Sequence, residues 1–519
     1  MLNSRSKSRA SVLDRVLPFL VFFCLLRLVF WGNSFPNPDE AYYWLWGQHI
    51  DWSYYDHPPL HAWIQGCFTA IFGRSTWVLR LPNLLSNSVL LFTYWRISYY
   101  IYKEQSRDRM WIILASILSS PLYFLFLSLA WNDHLLITFC AIAGYLLVRF
   151  LDGYRQDGRG ESWRLYGVGV ALGLAGLCKY SAVFIDLSCL LSIAAHPKFR
   201  SLLRDRRFYI TLTIIVVALL PIVLWNIQND FQSFRFYADR TLVNVTVNSN
   251  INFKPLELIN FLLISCAFLS PMHCWAIFQV WRSRNLYQMS TFYPRLAGWT
   301  FAVPTLSFLA IALTSVAYYY WNIIAYLMLL ALLPIAYSKM PHPACIDPDR
   351  TIELRQRALF WSGQVYGSIF AIAIVFHTTV MPLSVLVTDD VNVDPDSRML
   401  FGWTEVAAAI TAVTADLDPN PLLLTTDYRS AAALAYQLNN PDILAISTRI
   451  DQFDIWYNRR LRQGTLQGRN AVLLYDEWHP LDRELRSRFD RVSSPHAISV
   501  IRYGKLIKIY YIVKAYNFR

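Results

Sequence analysis

Charge is scarce in this chain: Asp, Glu, Lys and Arg make up only 16% of its 519 residues, against roughly 25% in an ordinary soluble domain. Long apolar blocks take their place, with 55% hydrophobic residues and a mean hydropathy of +0.31. A soluble protein with so many blocks would expose more apolar surface than water tolerates, so a polytopic α-helical membrane protein is expected. Cysteine offers no framework either. Cys24, Cys67, Cys140, Cys178, Cys189, Cys266, Cys274 and Cys345 fall mostly inside apolar runs and include no CxxC, which argues against disulfide scaffolds and thiolate metal sites. No GxxxxGK[ST] loop occurs, no nucleotide-binding glycine motif stands in the C-terminal region, and no GxSxG supports acyl transfer. A cleavage site of small residues is missing after the apolar run from Val16, so that run reads as an uncleaved first span.

Apolar windows predict about eleven spans, near 16–31, 78–100, 110–129, 135–150, 165–178, 181–195, 208–225, 255–280, 296–316, 322–337 and 358–381. The short pair around Lys179 can also be read as one bent or re-entrant element. Alternate loops differ sharply in charge: 22 Lys and Arg lie on the side of the first residues, against five on the other side. The positive-inside rule therefore places the N-terminus in the cytoplasm, and an odd span count places the C-terminal region outside. That placement, with 63 Tyr and Phe and 19 Trp suited to interfacial belts, assigns the net charge of +12 to membrane sidedness and not to nucleic acid.

Two domains are expected, a transmembrane part over 1–381 and an extracytoplasmic soluble part over 382–519. In the latter, apolar runs at 421–425, 471–475, 498–503 and 507–513, with helical spacing over 430–438, predict a small α/β or α+β fold. It is expected to act as a lid or acceptor-docking module without chemistry of its own.

The outer loop 33–77 is the most informative stretch. It reads Pro36-Asn37-Pro38-Asp39-Glu40, then an aromatic run, then Tyr55-Asp56-His57-Pro58-Pro59-Leu60. Paired carboxylates at a span end are partly desolvated, which raises their basicity and suits a general base for a poorly acidic hydroxyl. Asp39 could equally be the N-cap of an interfacial helix held at headgroup depth by Tyr42, Trp44 and Trp46.

The Asp39-Glu40 pair and the Tyr55-Asp56-His57-Pro58-Pro59 stretch resemble the protein O-mannosyltransferase superfamily, and especially its bacterial members related to the lipid A aminoarabinose transferases. Trp131-Asn132-Asp133-His134, the segment Gly173 to Lys179, the stretch from Trp225 through Arg235 to Arg240, and Tyr320-Trp321 with Tyr326 match in the same order over about 15–380. The resemblance implies a GT-C fold in a bacterial inner membrane and a polyprenyl-phosphate-linked sugar donor. The sugar would pass with inversion to a hydroxyl of a glycolipid, polysaccharide or protein. It makes Asp39 the catalytic base, with Glu40 a catalytic-site partner at the helix start or on the acceptor side. Lys179, a charge between two short apolar spans, is the leading candidate for a phosphate-facing cation, the alternative being a turn that snorkels to the interface. Arg235, Arg240 and His57 are further donor-phosphate candidates, and Tyr55, Asp56, Asp133 and Trp321 are donor- or acceptor-side candidates. The family's phosphate-contacting lysine is replaced here by His57. No cofactor is required; a divalent metal at Asp56, His57 and His61 is disfavoured because Pro58 and Pro59 break the helix that such ligation needs. Rival readings are a secondary transporter and a lipid-phosphate-binding or flipping protein. A transporter predicts mid-span charges and an internal repeat, and neither is found.

Overall fold

The structure is a computed structural model. It describes residues 11–246, 253–283, 286, 289–337, 350–417, 420–447 and 449–519, without the side chains of 240–246 and 350–353. The chain forms two compact units. One comprises 1–26, 83–128 and 132–371, the other 27–82, 129–131 and 372–519.

The first unit is helical. Asp133–Asp157, Arg206–Gln228 and Tyr293–Ala312 are each long and apolar enough to cross a bilayer, as is Leu354–Thr379, whose residues from Ile372 onward belong to the second unit. Two further pairs, Tyr180–Ala194 with Pro197–Arg204 and Pro255–Leu269 with Pro271–Arg282, bend by 112° and 93°. Among the described residues these make four candidate spans, or up to six with each bent pair counted once, against the eleven expected; Val12–Asn33 and Thr76–Tyr102 are further helices of 22 and 27 residues over two of the expected windows. Part of the difference has a local cause: the expected windows 110–129 and 322–337 are each divided near a proline, into Ser106–Ser119 and Pro121–Phe126 and into Ile323–Leu330 and Leu333–Ala336. Proline removes a backbone donor and ends the preceding helix, as it also does at the two bends. Other apolar windows form helices too short to cross alone, such as Ser162–Cys178. Small residues draw helices together: a Cβ on Gly173 would lie 2.6 Å from that of Ala218, so Ser162–Cys178 meets Arg206–Gln228 nearly backbone to backbone. The outward face of Arg206–Gln228 exposes Val216, Val217, Leu220, Val223, Leu224 and Ile227, a stripe suited to lipid.

The second unit holds helix α2 (Pro38–Gln48), helix α3 (Leu60–Phe72) and a mixed six-stranded sheet. Its strands are β1 (Leu422–Thr425), β2 (Leu444–Ala445), β3 (Ala471–Asp476), β4 (Phe489–Val492), β5 (His496–Arg502) and β6 (Lys505–Phe518). The order is β2-β1-β3-β6-β4, with β5 also on β6; β1, β2 and β3 run parallel and β6 antiparallel to its neighbours. The four expected strands and the helix (here Tyr428–Leu438) are present. β2 and β4 are additional, being too short to show a period.

One expectation fails in this unit. Tyr42, Trp44 and Trp46 are 2%, 1% and 0% exposed, so they are core residues and not headgroup anchors. Tyr42 stacks on Phe453, Trp46 on Tyr54, and Trp44 meets Tyr436 edge-on. An aromatic run beside a membrane span looks the same in sequence whether its partner is lipid or another aromatic ring.

Candidate functional site

The local chain start of α2 separates the two carboxylates. Asn37, not Asp39, is the N-cap: its Oδ1 accepts from the Asp39 amide at 3.0 Å, and Pro38 takes the first helical position. Glu40 closes the capping box by accepting from the Asn37 amide at 2.8 Å. Its carboxylate is fully buried and held on several sides. Arg80 donates from Nη2 to Oε2 at 2.7 Å and from Nε to Oε1 at 3.0 Å, and the Ala130 amide donates to Oε1 at 2.7 Å. Arg80 Nη1 donates in turn to the carbonyls of Phe30 and Trp31, both at 3.2 Å. Glu40 thus sits as a structural latch beside Asp39 at the helix start; with both carboxylate oxygens engaged, it does not fit the catalytic or acceptor-side part also expected of it.

Asp39 is different. It is half-buried, and among the described residues no hydrogen bond or ion pair engages its carboxylate. Burial pushes its pKa up to about 6, the cations Arg429 and Arg449 pull it down, and Asp56 and Asp396 push it up. A carboxylate poised there is ionised near neutrality yet basic enough to accept a proton.

Asp56 is buried, accepts from the Tyr42 hydroxyl at 3.0 Å and is ion-paired with Arg449. The Arg449 guanidinium lies 4.5 Å from the centre of the Tyr428 ring. Arg429 pairs with Asp396 and Asp427 and covers Trp478 at 4.6 Å. The Tyr55 amide donates to Gln452 Oε1 at 2.8 Å. His57 is half-buried against the Tyr43 ring, and His61 Nε2 donates to the Ala130 carbonyl at 2.7 Å. Among the described residues no group of three or more His, Cys, Asp or Glu is arranged to hold a metal.

The remaining candidates belong to the first unit. Lys179 sits in extended backbone at the end of Ser162–Cys178 and donates to both Asp133 oxygens, at 2.8 and 2.9 Å. Both residues are buried, and the ammonium lies 5.2 Å from the Tyr320 ring. Asp133 is the first residue of its helix, behind an Asn132 N-cap, so it combines the lysine-partner and helix-start readings. Trp321 is half-buried against Phe308 and Tyr318. Arg235 is exposed on Gln232–Thr246, and the Arg240 side chain lies outside the described residues.

Three arginines near Asp39 and Glu40 were not foreseen. Arg80, a lone charge near the start of an apolar block, was open to the rule that intramembrane charge marks a site. Arg429 and Arg449 follow β1 and β2 at the carboxyl edge of parallel strands, where α/β sheets gather ligands. No local motif announces either one.

The family described as dolichyl-phosphate-mannose-protein mannosyltransferase matches residues 56–225. The lipid A galacturonosyltransferase RgtD of Rhizobium johnstonii is 29% identical over 205 residues, 39% of this chain and 40% of its own. The match thus spans about two fifths of that relative's length. ArnT from Cupriavidus metallidurans bound to undecaprenyl phosphate shares the fold at a TM-score of 0.59, with 13% identity, covering 96% of this chain and 98% of its own. The archaeal oligosaccharyltransferase AglB from Archaeoglobus fulgidus, in complex with an inhibitory peptide and a dolichol-phosphate, gives 0.51 at 10% identity, covering 89% and 69%. The resemblance read from the motifs is borne out, and the helical fold is that of the GT-C structures.

Proposed function

We propose that this protein is a membrane glycosyltransferase that moves a sugar from a polyisoprenyl-phosphate donor to an acceptor hydroxyl at the extracytoplasmic face. The observation that carries the reading is Asp39: part-exposed, unengaged, and raised to about 6 beside a neighbour whose carboxylate is wholly engaged. Asp39 takes the acceptor proton as the oxygen attacks the anomeric carbon. The bond from that carbon to the phosphate oxygen breaks, and its electrons leave with the lipid phosphate. The configuration inverts. Lys179 is the cation assigned to the donor phosphate: two of its three N–H donors go to Asp133, which fixes its direction. Arg235 and Arg240 on the outer loop are supporting cations, and Asp56, Tyr55 and Trp321 shape the sugar and acceptor sides. The charge asymmetry of the loops supports a cytoplasmic N-terminus and an outer 382–519 region in a bacterial inner membrane. Arg429 and Arg449 give that region a part in the chemistry by holding Asp39 low enough to ionise.

The pH profile of kcat/KM tests the base. Above about 6 Asp39 is the carboxylate and transfer runs; below it the acid form accumulates and activity falls. Arg429→Gln removes a cation that lowers this pKa, so the acid limb moves to higher pH. A limb that stays in place in this variant contradicts the assignment.

Lys179→Met raises the donor KM by tenfold or more but also leaves Asp133 buried without its cation, which costs about 3–5 kcal/mol. Lys179→Met with Asp133→Asn separates the two effects. The double variant recovers thermal stability in detergent but not donor affinity. Recovery of both would make Lys179 purely structural.

A further inference from the structure

The first unit contains a cavity of about 490 Å³ that the proposed transfer reaction does not use. It lies where Val183–Ala194 ends, where the chain bends by 112° into Pro197–Arg204, and where Tyr293–Ala312 begins. Ser192, His196, Phe292, Arg295 and Trp299 line it. All the loops involved belong to the basic side of the chain.

Its electrostatics are one-sided. Arg295 lines the cavity and Lys198 stands two residues from His196; both are exposed. Burial first, then Arg295, Arg155 and Lys198, hold the His196 imidazole below its usual pKa, so positive potential converges on this ring. Asp186 lies farther back on Val183–Ala194, and Asp205, just past Pro197–Arg204, is paired with Arg207; the acid at the start of Tyr293–Ala312 is Asp152 of Asp133–Asp157. It is buried and already bound to the Tyr100 hydroxyl, the Phe292 amide and Arg155, so it does not neutralise Arg295. His196 Nδ1 is buried with no partner among the described residues. The walls are otherwise apolar and aromatic, as at the headgroup level of a bilayer. On Val183–Ala194 the exposed residues Val183, Leu187 and Leu190 recur at helical spacing, forming an apolar stripe along one flank.

From the cavity, the cations and the stripe together, we infer that this is a binding site for the phosphodiester headgroup of an anionic phospholipid. Arg295 and Lys198 meet the phosphate, His196 Nδ1 supplies a polar contact, Trp299 meets the glycerol region, and an acyl chain follows the stripe. Basic pockets between helices on the cytoplasmic side favour such headgroups. The inference goes beyond the transfer reaction and does not depend on it; it needs only that the apolar helices lie in a bilayer.

The test uses the purified full chain in detergent, with phosphatidylglycerol, phosphatidylcholine and glycerol 3-phosphate as probes. Binding is read by native mass spectrometry and by thermal shift. The wild type should retain phosphatidylglycerol at least tenfold better than phosphatidylcholine and be stabilised by it, while glycerol 3-phosphate does neither. Arg295→Gln and Lys198→Gln change exposed side chains, so each should keep the lipid-free Tm. Each should lose part of the phosphatidylglycerol preference, and together they should lose it entirely. Equal retention of the two lipids overturns the inference, as does a preference that survives both substitutions. Stabilisation by glycerol 3-phosphate alone would make the site one for a soluble phosphate and overturn the lipid assignment.

Discussion

Asp39→Asn should lower sugar transfer by about 10³-fold or more while leaving the protein inserted in the membrane and no less stable than the wild type. The loss follows from removing the only group assigned to take the acceptor proton, a role worth about 10²–10⁴ in rate. The stability follows from the sign of the pKa shift. Asp39 has a folded-state value near 6, above its ordinary 3.8, so the fold favours the neutral acid. The stabilising contribution of that acid form is complete below about pH 4 and is lost as pH rises through 6, so at neutral pH the ionised Asp39 costs the fold free energy. Asparagine removes that cost, about 1–2 kcal/mol once the open side of the residue is discounted for solvent. The Tm in detergent at pH 7.5 should therefore be equal or slightly higher, and the gain should vanish at pH 4. A substituted protein with full activity, or one that loses activity only because it unfolds, contradicts this account of the residue.

Arg80→Ala should have the largest effect on stability. Arg80 and Glu40 are both 0% exposed, and the guanidinium also satisfies carbonyls at the end of helix α1 (Val12–Asn33) and just beyond it. Removing it leaves the Glu40 carboxylate buried without its cation and those carbonyls short of a donor, a cost of about 3–5 kcal/mol. Protein levels in membranes and the Tm should fall together, and transfer should fall with them because the turn carrying Asp39 loses its anchor. Arg80→Met combined with Glu40→Leu should recover much of the stability, since two apolar side chains remove the uncompensated charge. If Arg80→Ala keeps the wild-type Tm, the latch is not what holds this turn.

These two predictions show where the sequence was readable. Composition and loop charge suffice for the membrane class, because a bilayer imposes length and polarity on every span. The ordered motifs carry the fold, and they place Asp39, Lys179 and Asp133 in settings that suit their proposed work. The span count was less legible: hydropathy windows do not register a backbone break such as that at Ser120 and Pro121, which divides the block 110–129 into Ser106–Ser119 and Pro121–Phe126. Tyr42 and Trp44 misled because burial against Phe453 and Tyr436 joins residues hundreds of positions apart, and Trp46 because it stacks on the nearby Tyr54 instead of facing lipid. Asp39 was legible as a candidate base but not as a residue distinct in duty from Glu40. That distinction rests on Arg80 and the Ala130 amide, 40 and 90 positions beyond Glu40. Arg429 and Arg449 were illegible for the same reason. A region that reads as a lid in sequence contributes Arg429 and Arg449, which pull the Asp39 pKa down against the larger effect of burial.

The central claim is that the sugar arrives on a lipid phosphate. It is tested most directly by reconstituting the full chain in liposomes with polyprenyl-phosphate sugars and following release of free polyprenyl phosphate when membrane acceptors are added. The account predicts acceptor-dependent release matched one for one by sugar on the acceptor, present in wild type and lost in Asp39→Asn. Donor recovered intact while a nucleotide sugar is consumed, or lipid moved across the bilayer with its sugar still attached, would contradict it.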